Sequence, residues 1–86
     1  MYSKGQIVFS KSGRDKTLAF IIVDYDDDYV YLVDGKLRIL AKPKKKKKIH
    51  IQITKKVDED LKTKLENGLY ILDSDIRKAL ARYNNI

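Results

Sequence analysis

Gly5-Gln6-Ile7-Val8-Phe9-Ser10-Lys11-Ser12-Gly13-Arg14-Asp15-Lys16-Thr17-Leu18-Ala19-Phe20-Ile21-Ile22-Val23 decides the fold, because two apolar, β-rich runs flank a short charged turn. Ile7 and Phe9 alternate with Gln6, Val8 and Ser10 at the two-residue period of a strand. Leu18 to Val23 is almost unbroken apolar sequence, the mark of a strand covered on both faces. Between the runs, Lys11, Arg14 and Lys16 surround Ser12-Gly13. Glycine reaches positive φ without a Cβ clash, so the spacing predicts a hairpin whose tip carries charge.

Outward from that hairpin, Asp24-Tyr25-Asp26-Asp27-Asp28 is rich in residues that bond their own backbone. It lacks the glycine and distal glutamate of a calcium loop, so it reads as a solvated turn, and no metal site is expected. Tyr29-Val30-Tyr31-Leu32-Val33 reads as a third strand, with Tyr29, Tyr31 and Val33 on one face and Val30 and Leu32 on the other. Asp34-Gly35 is a type I′ hairpin signal, which predicts that a fourth strand, Lys36-Leu37-Arg38-Ile39-Leu40, folds straight back. Lys42-Pro43-Lys44-Lys45-Lys46-Lys47-Lys48 follows, and Ile49, Ile51 and Ile53 then restore alternation in a fifth strand over Ile49 to Thr54. The lysines are therefore expected as a segment clamped between two strands, with their charge at a fixed place on the surface.

The last third changes character. Val57-Asp58-Glu59-Asp60-Leu61-Lys62-Thr63-Lys64-Leu65-Glu66 has acids first and lysines later, matching the helix dipole, and Asn67-Gly68 gives a stop. After the apolar linker Leu69-Tyr70-Ile71-Leu72, Asp73 or Ser74 is placed to cap a second helix with Ile76, Leu80 and Tyr83 on one face. Such short helices need a docking surface, and the outer apolar face of strands two and three is the expected one. The chain is thus mainly β with an α appendage.

At 86 residues it is one small domain, of a size that buries only about 60% of its unfolded surface. Cysteine is absent, which excludes disulfides and thiolate metal sites and fits an intracellular setting. No apolar run approaches the roughly 20 residues of a membrane span, and Met1-Tyr2-Ser3-Lys4-Gly5 leads straight into a strand without a signal-peptide core, so a cytoplasmic location is expected. A net charge of +7 favours a polyanionic partner, since each cation set against a phosphate releases condensed counterions.

Gly5, the alternating apolar residues, Ser12-Gly13-Arg14-Asp15-Lys16 and the second apolar strand together resemble a KOW motif. Through Asp34-Gly35-Lys36-Leu37-Arg38 and the lysine run, roughly residues 1–55, the chain is similar to bacterial KOW-domain RNA-binding proteins that resemble the large-subunit ribosomal proteins of the eukaryotic and archaeal fourteen-e group. That pattern carries a glycine after the loop lysine, where this chain has Thr17. The resemblance implies a small five-stranded SH3-like barrel over residues 1–56, and the two short C-terminal helices read over residues 57–86 are expected to pack on it. It also implies a structured RNA partner, ribosomal or ribosome-associated, and a role in translation.

Catalysis is not expected. His50 alternates with isoleucines at an exposed position and has no nucleophile signature nearby. Ser12-Gly13 is too short for a phosphate-cradling P-loop, and Asp58 and Asp60 are explained by helix capping. No cofactor, small-molecule substrate or membrane partner is expected; the lysines lack an apolar insertion partner. The expected RNA contacts are the tip, Lys11, Ser12, Gly13, Arg14 and Lys16, and a basic segment, Lys36, Arg38, Lys42, Lys44, Lys45, Lys46, Lys47, Lys48 and His50. Neutralising roughly five to seven phosphates gives a slope of log affinity against log salt on the order of −4 to −6. Phe9, Phe20, Tyr25, Tyr29 and Tyr31 are read as core residues and not as a base-stacking platform, which favours recognition by shape and phosphate. The alternative is a protein-interaction module of the transcription or translation machinery, since some KOW barrels of elongation factors contact proteins.

Overall fold

Strands apolar on both faces need cover on both sides, and the computed structural model, which describes residues 1–84, supplies that cover in two different ways. Five antiparallel strands run β4-β3-β2-β1-β5 across one sheet. They are β1 (Gln6–Ser10), β2 (Ala19–Tyr25), β3 (Tyr29–Val33), β4 (Lys44–Lys47) and β5 (Ile51–Val57), with a 3-10 turn at Lys48–His50, then α1 (Glu59–Glu66) and α2 (Asp73–Asn84). On one face Ile7, Ala19, Ile21 and Val33 pack against Leu61 of α1 and Ile76 and Leu80 of α2. The helices thus dock on the face of strands two and three expected to receive them.

The opposite face holds Val8, Phe20, Ile22, Val30, Leu32 and Ile51, with Tyr2 and Leu18 at its margin. No helix residue takes part, so the curvature of the sheet itself covers this cluster. Register breaks between Gln6 and Val8 and between Ile22 and Asp24 supply local bends where that curvature is needed. Among the described residues no ladder joins β4 to β5, so the sheet is open.

Three expected elements differ. Lys36 to Leu40 is a loop and not a strand, because Asp34 takes over its backbone: Asp34 Oδ1 accepts from the Lys36 and Arg38 amides at 2.9 Å each. The Asp34 and Gly35 amides donate to the Arg38 carbonyl, closing the loop, and Leu37 is left 86% exposed. The fourth strand is the lysine run itself, paired Tyr29↔Lys47, Val30↔Lys46, Tyr31↔Lys45 and Leu32↔Lys44. The fifth strand starts two residues later than expected, so Ile51 reaches the core while Ile49 is exposed in the 3-10 turn.

Asp58 caps α1 by accepting from the Leu61 amide at 3.1 Å, and Asn67 closes its end. Asp73 does not cap α2; it is the first helical residue, and its Oδ1 accepts from the Leu40 amide at 2.8 Å, tying the β3–β4 loop to the helix. Arg77 Nη1 adds a bond to the Gly35 carbonyl. A Cβ at Gly35 would lie 2.6 Å from the Asp73 carbonyl oxygen, so this approach requires glycine. Residues 85 and 86 of the expected C-terminal segment lie outside the described residues.

Thr17 is held at φ +74°, a left-handed conformation that a β-branched residue adopts only under strain. Replacing it with glycine removes that strain but frees the unfolded chain. Thr17→Gly is expected to raise stability by about 1 kcal/mol, read as a higher urea midpoint with an unchanged m-value. A lower midpoint would mean that the freedom gained by the unfolded chain outweighs the strain at Thr17.

Candidate nucleic-acid interface

Cross-strand pairing turns Lys44 and Lys46 toward the face that carries Leu32 and Val30, and Lys45 and Lys47 toward the other. The Lys46 side chain is only 7% exposed. Burying an ammonium is costly unless each N–H finds an acceptor, and Lys46 Nζ has three: Ser10 Oγ at 2.8 Å, the Ser12 carbonyl at 2.9 Å and Asp15 Oδ1 at 2.9 Å. Lys44 Nζ reaches the other Asp15 oxygen at 3.1 Å, and Ser10 Oγ donates to Asp15 Oδ1 at 2.7 Å. Burial by itself would push the Asp15 carboxyl up, but the hydrogen bonds from Lys46, Ser10 and Lys44 and the Lys46 charge outweigh it and hold the group well below the usual carboxylate range.

The loop of residues 11–18 is therefore bolted to β4. Arg14, exposed on that loop, shares a cleft of about 250 Å³ with Arg38 of the β3–β4 loop and Lys44 of β4, over Leu18 and Phe20, with the exposed Leu37 at its edge and Asp15 and Asp34 also on its wall. Cations from three separated segments converge there. On the other side of the loop, Lys11 and Lys16 border an open hollow beside Phe9, and the Lys11 amide donates to the His50 carbonyl at 2.8 Å. Gly13 is exposed at φ +81°, while the Ser12 carbonyl is already occupied by Lys46.

The remaining basic residues have different surroundings. Lys45 lies 4.2 Å from the centre of the Tyr29 ring, and Lys48 sits over Tyr2 at 4.5 Å and Tyr25 at 5.7 Å. Lys36, Lys42, Lys47 and His50 are exposed. Lys44 and Lys46 share the single Asp15 carboxylate, which offsets one of their two charges, so the run presents less free charge than its composition suggests. Its place on an edge strand also has a plain structural use, since edge lysines discourage the addition of a foreign strand.

The aromatic expectation holds for Phe20, which is buried, but Tyr25 is 40% exposed and Tyr29 and Tyr31 are half-buried. In the acidic turn, Asp26 Oδ1 accepts from the Tyr29 amide at 2.8 Å and the Asp28 amide at 3.0 Å, which lowers its pKa, Tyr29 contributing most. Among the described residues no group of three or more metal-ligating side chains comes together. Arg77 and Lys78 of α2 stand beside the β3–β4 loop, lining a hollow with Lys36, and the sequence reading did not select them. Their pattern is that of any exposed helix face, so only the docking of α2 brings them to the site.

Asp15→Asn leaves the Lys46 ammonium buried without its counter-charge and is expected to cost about 3 kcal/mol in chemical denaturation. Adding Lys46→Met, which removes the stranded charge, should restore part of that loss. A depressed folded-state pKa stabilises fully above the unfolded value and less as pH falls, so the wild-type advantage over Asp15→Asn should shrink below about pH 4. Equal stabilities at neutral pH would contradict the clamp.

No protein-family model matches the chain and no curated protein matches it, so the role of this surface is read from its own charges and shape.

Proposed function

We propose that this chain binds the phosphate backbone of structured RNA, in the ribosomal or ribosome-associated setting that the KOW resemblance implies, on a strongly curved SH3-like sheet. The convergence of Arg14, Arg38 and Lys44 on one cleft carries the reading. Edge protection accounts for Lys45 and Lys47, which face outward from β4, but it gives no reason for arginines from two loops to meet beside that strand. Guanidinium groups present forked donors suited to phosphate oxygens. The fixed loop lowers the entropic cost of placing Arg14 against a ligand. The left-handed backbone at Thr17, where the KOW pattern has glycine, is consistent with the same loop shape.

A second reading, a protein-interaction module, is favoured by Leu69, Tyr70 and Leu72, which are 56%, 84% and 48% exposed side by side in the α1–α2 connection. It requires a partner that survives nuclease treatment and is lost when Tyr70 is changed to serine.

Filter binding of a structured RNA hairpin across a salt series tests the RNA reading. The wild type should show a steep negative slope, and Arg14→Gln/Arg38→Gln should weaken binding at least about tenfold and flatten the slope by about two. Salt-independent binding, or a double variant that binds like the wild type, would overturn it.

A further inference from the structure

The cleft of Arg14, Arg38 and Lys44 does not end at those residues. A second hollow of about 280 Å³ adjoins it, sharing Leu18 and Asp34, and runs between the β3–β4 loop and the flank of α2. Its floor includes Leu18, Leu80 and Ala81, and its rim carries Lys36, Arg77 and Lys78. The bond from Arg77 to the Gly35 carbonyl fixes loop and helix as the two walls. Each hollow falls below the roughly 300–1,000 Å³ that small-ligand pockets occupy, and only the two together reach it.

A surface that touches only phosphates needs cations and no apolar floor. Here cations rim both hollows, Asp34 stands where the two join, and apolar side chains form the floor beneath. Asp34 Oδ1 is taken by the Lys36 and Arg38 amides, and Oδ2 makes no hydrogen bond to the protein among the described residues. That carboxylate repels phosphate from the middle of the groove and offers an acceptor to an N–H on a base edge. Two cationic rims on either side of an acceptor and an apolar floor suit one nucleotide lying between its two flanking phosphates. Unpaired bases, splayed out of a loop or bulge, are what proteins most readily read in RNA.

Building on the RNA reading above, we propose that this groove seats one unpaired nucleotide of a structured RNA. Its phosphate lies against Arg14, Arg38 and Lys44, and its base covers Leu18, Leu80 and Ala81 beside Asp34. Lys36 and Lys78 at the mouth meet the neighbouring phosphate. The protein then marks bulged or looped-out positions within a duplex and does not bind uniformly along it.

Fluorescence anisotropy with the full chain and three RNA hairpins tests this: one fully paired, one with a single-nucleotide bulge, and one whose bulge is abasic. The bulged hairpin should bind about tenfold tighter than the paired one, and the abasic bulge should lose that preference. Ala81→Leu, at an exposed helical position that tolerates leucine, should also abolish the preference while keeping the wild-type melting temperature and paired-hairpin affinity. Equal, salt-dependent binding of all three hairpins would overturn the nucleotide seat and leave the backbone grip standing. Binding to none of them would overturn both.

Discussion

Ser10 Oγ, the Ser12 carbonyl and Asp15 Oδ1 surround Lys46 Nζ at 2.8–2.9 Å, and the loop that carries Arg14 owes its position to them. Apart from Leu18, that loop has no apolar anchor in either core cluster. Without the ammonium between them, only the Lys44 ion pair and the Ser10 hydroxyl would hold the Asp15 carboxylate and the Ser12 carbonyl near β4. The ammonium in turn has no low-cost way out, because its stem lies on the same face as Val30 and Leu32. Satisfied polar networks of this kind specify one arrangement more than they add net stability.

The clamp raises a question of register. Five consecutive lysines offer nearly equivalent ways to pair with β3, and a two-residue slip would put one lysine where another had been. The flanks settle it. Pro43 cannot donate to a ladder and bars extension of β4 toward the loop. At the other end the Lys48 amide bonds the Asp28 carbonyl and Ile51 enters the core, fixing where the strand must finish. Asp73 holds Leu40 from the loop side. A homopolymeric segment thus acquires individual roles: Lys46 and Lys44 inward on Asp15, Lys45 on the Tyr29 ring, Lys48 over Tyr2 and Tyr25.

Much of this architecture was legible in the sequence. Ile7 to Phe9, Leu18 to Val23 and Tyr29 to Val33 carry apolar residues at strand spacing, and burial rewards them wherever they meet. The helices announced themselves through the acids of Asp58 to Asp60 and the stop at Asn67-Gly68. Strand β4 was not legible, because lysine is a poor strand former and a uniform run has no period to read. Its strand character comes from the free edge of β3 and from an aspartate 31 residues away from Lys46. The alternation of Leu37 and Ile39 misled for the converse reason: the local pattern was sound, but the Asp34 side chain captured the backbone first. At the candidate site, the charges of Arg14, Arg38 and Lys44 were visible. The pairing of Lys44 and Lys46 with Asp15 and the arrival of Arg77 and Lys78 depend on tertiary contacts that no local pattern encodes.

Side-chain nitrogen NMR of the lysine ammonium groups near neutral pH probes the clamp most directly. Protons on solvated ammonium groups exchange too fast to be seen, whereas a buried group with three acceptors exchanges slowly. The expected result is a persistent ammonium signal assigned to Lys46, coupled across its hydrogen bond to Asp15 and absent from the Asp15→Asn protein. A Lys46 ammonium that exchanges like the solvated lysines would mean that the loop is not bolted to the sheet, and the fixed cleft of Arg14, Arg38 and Lys44 would fall with it.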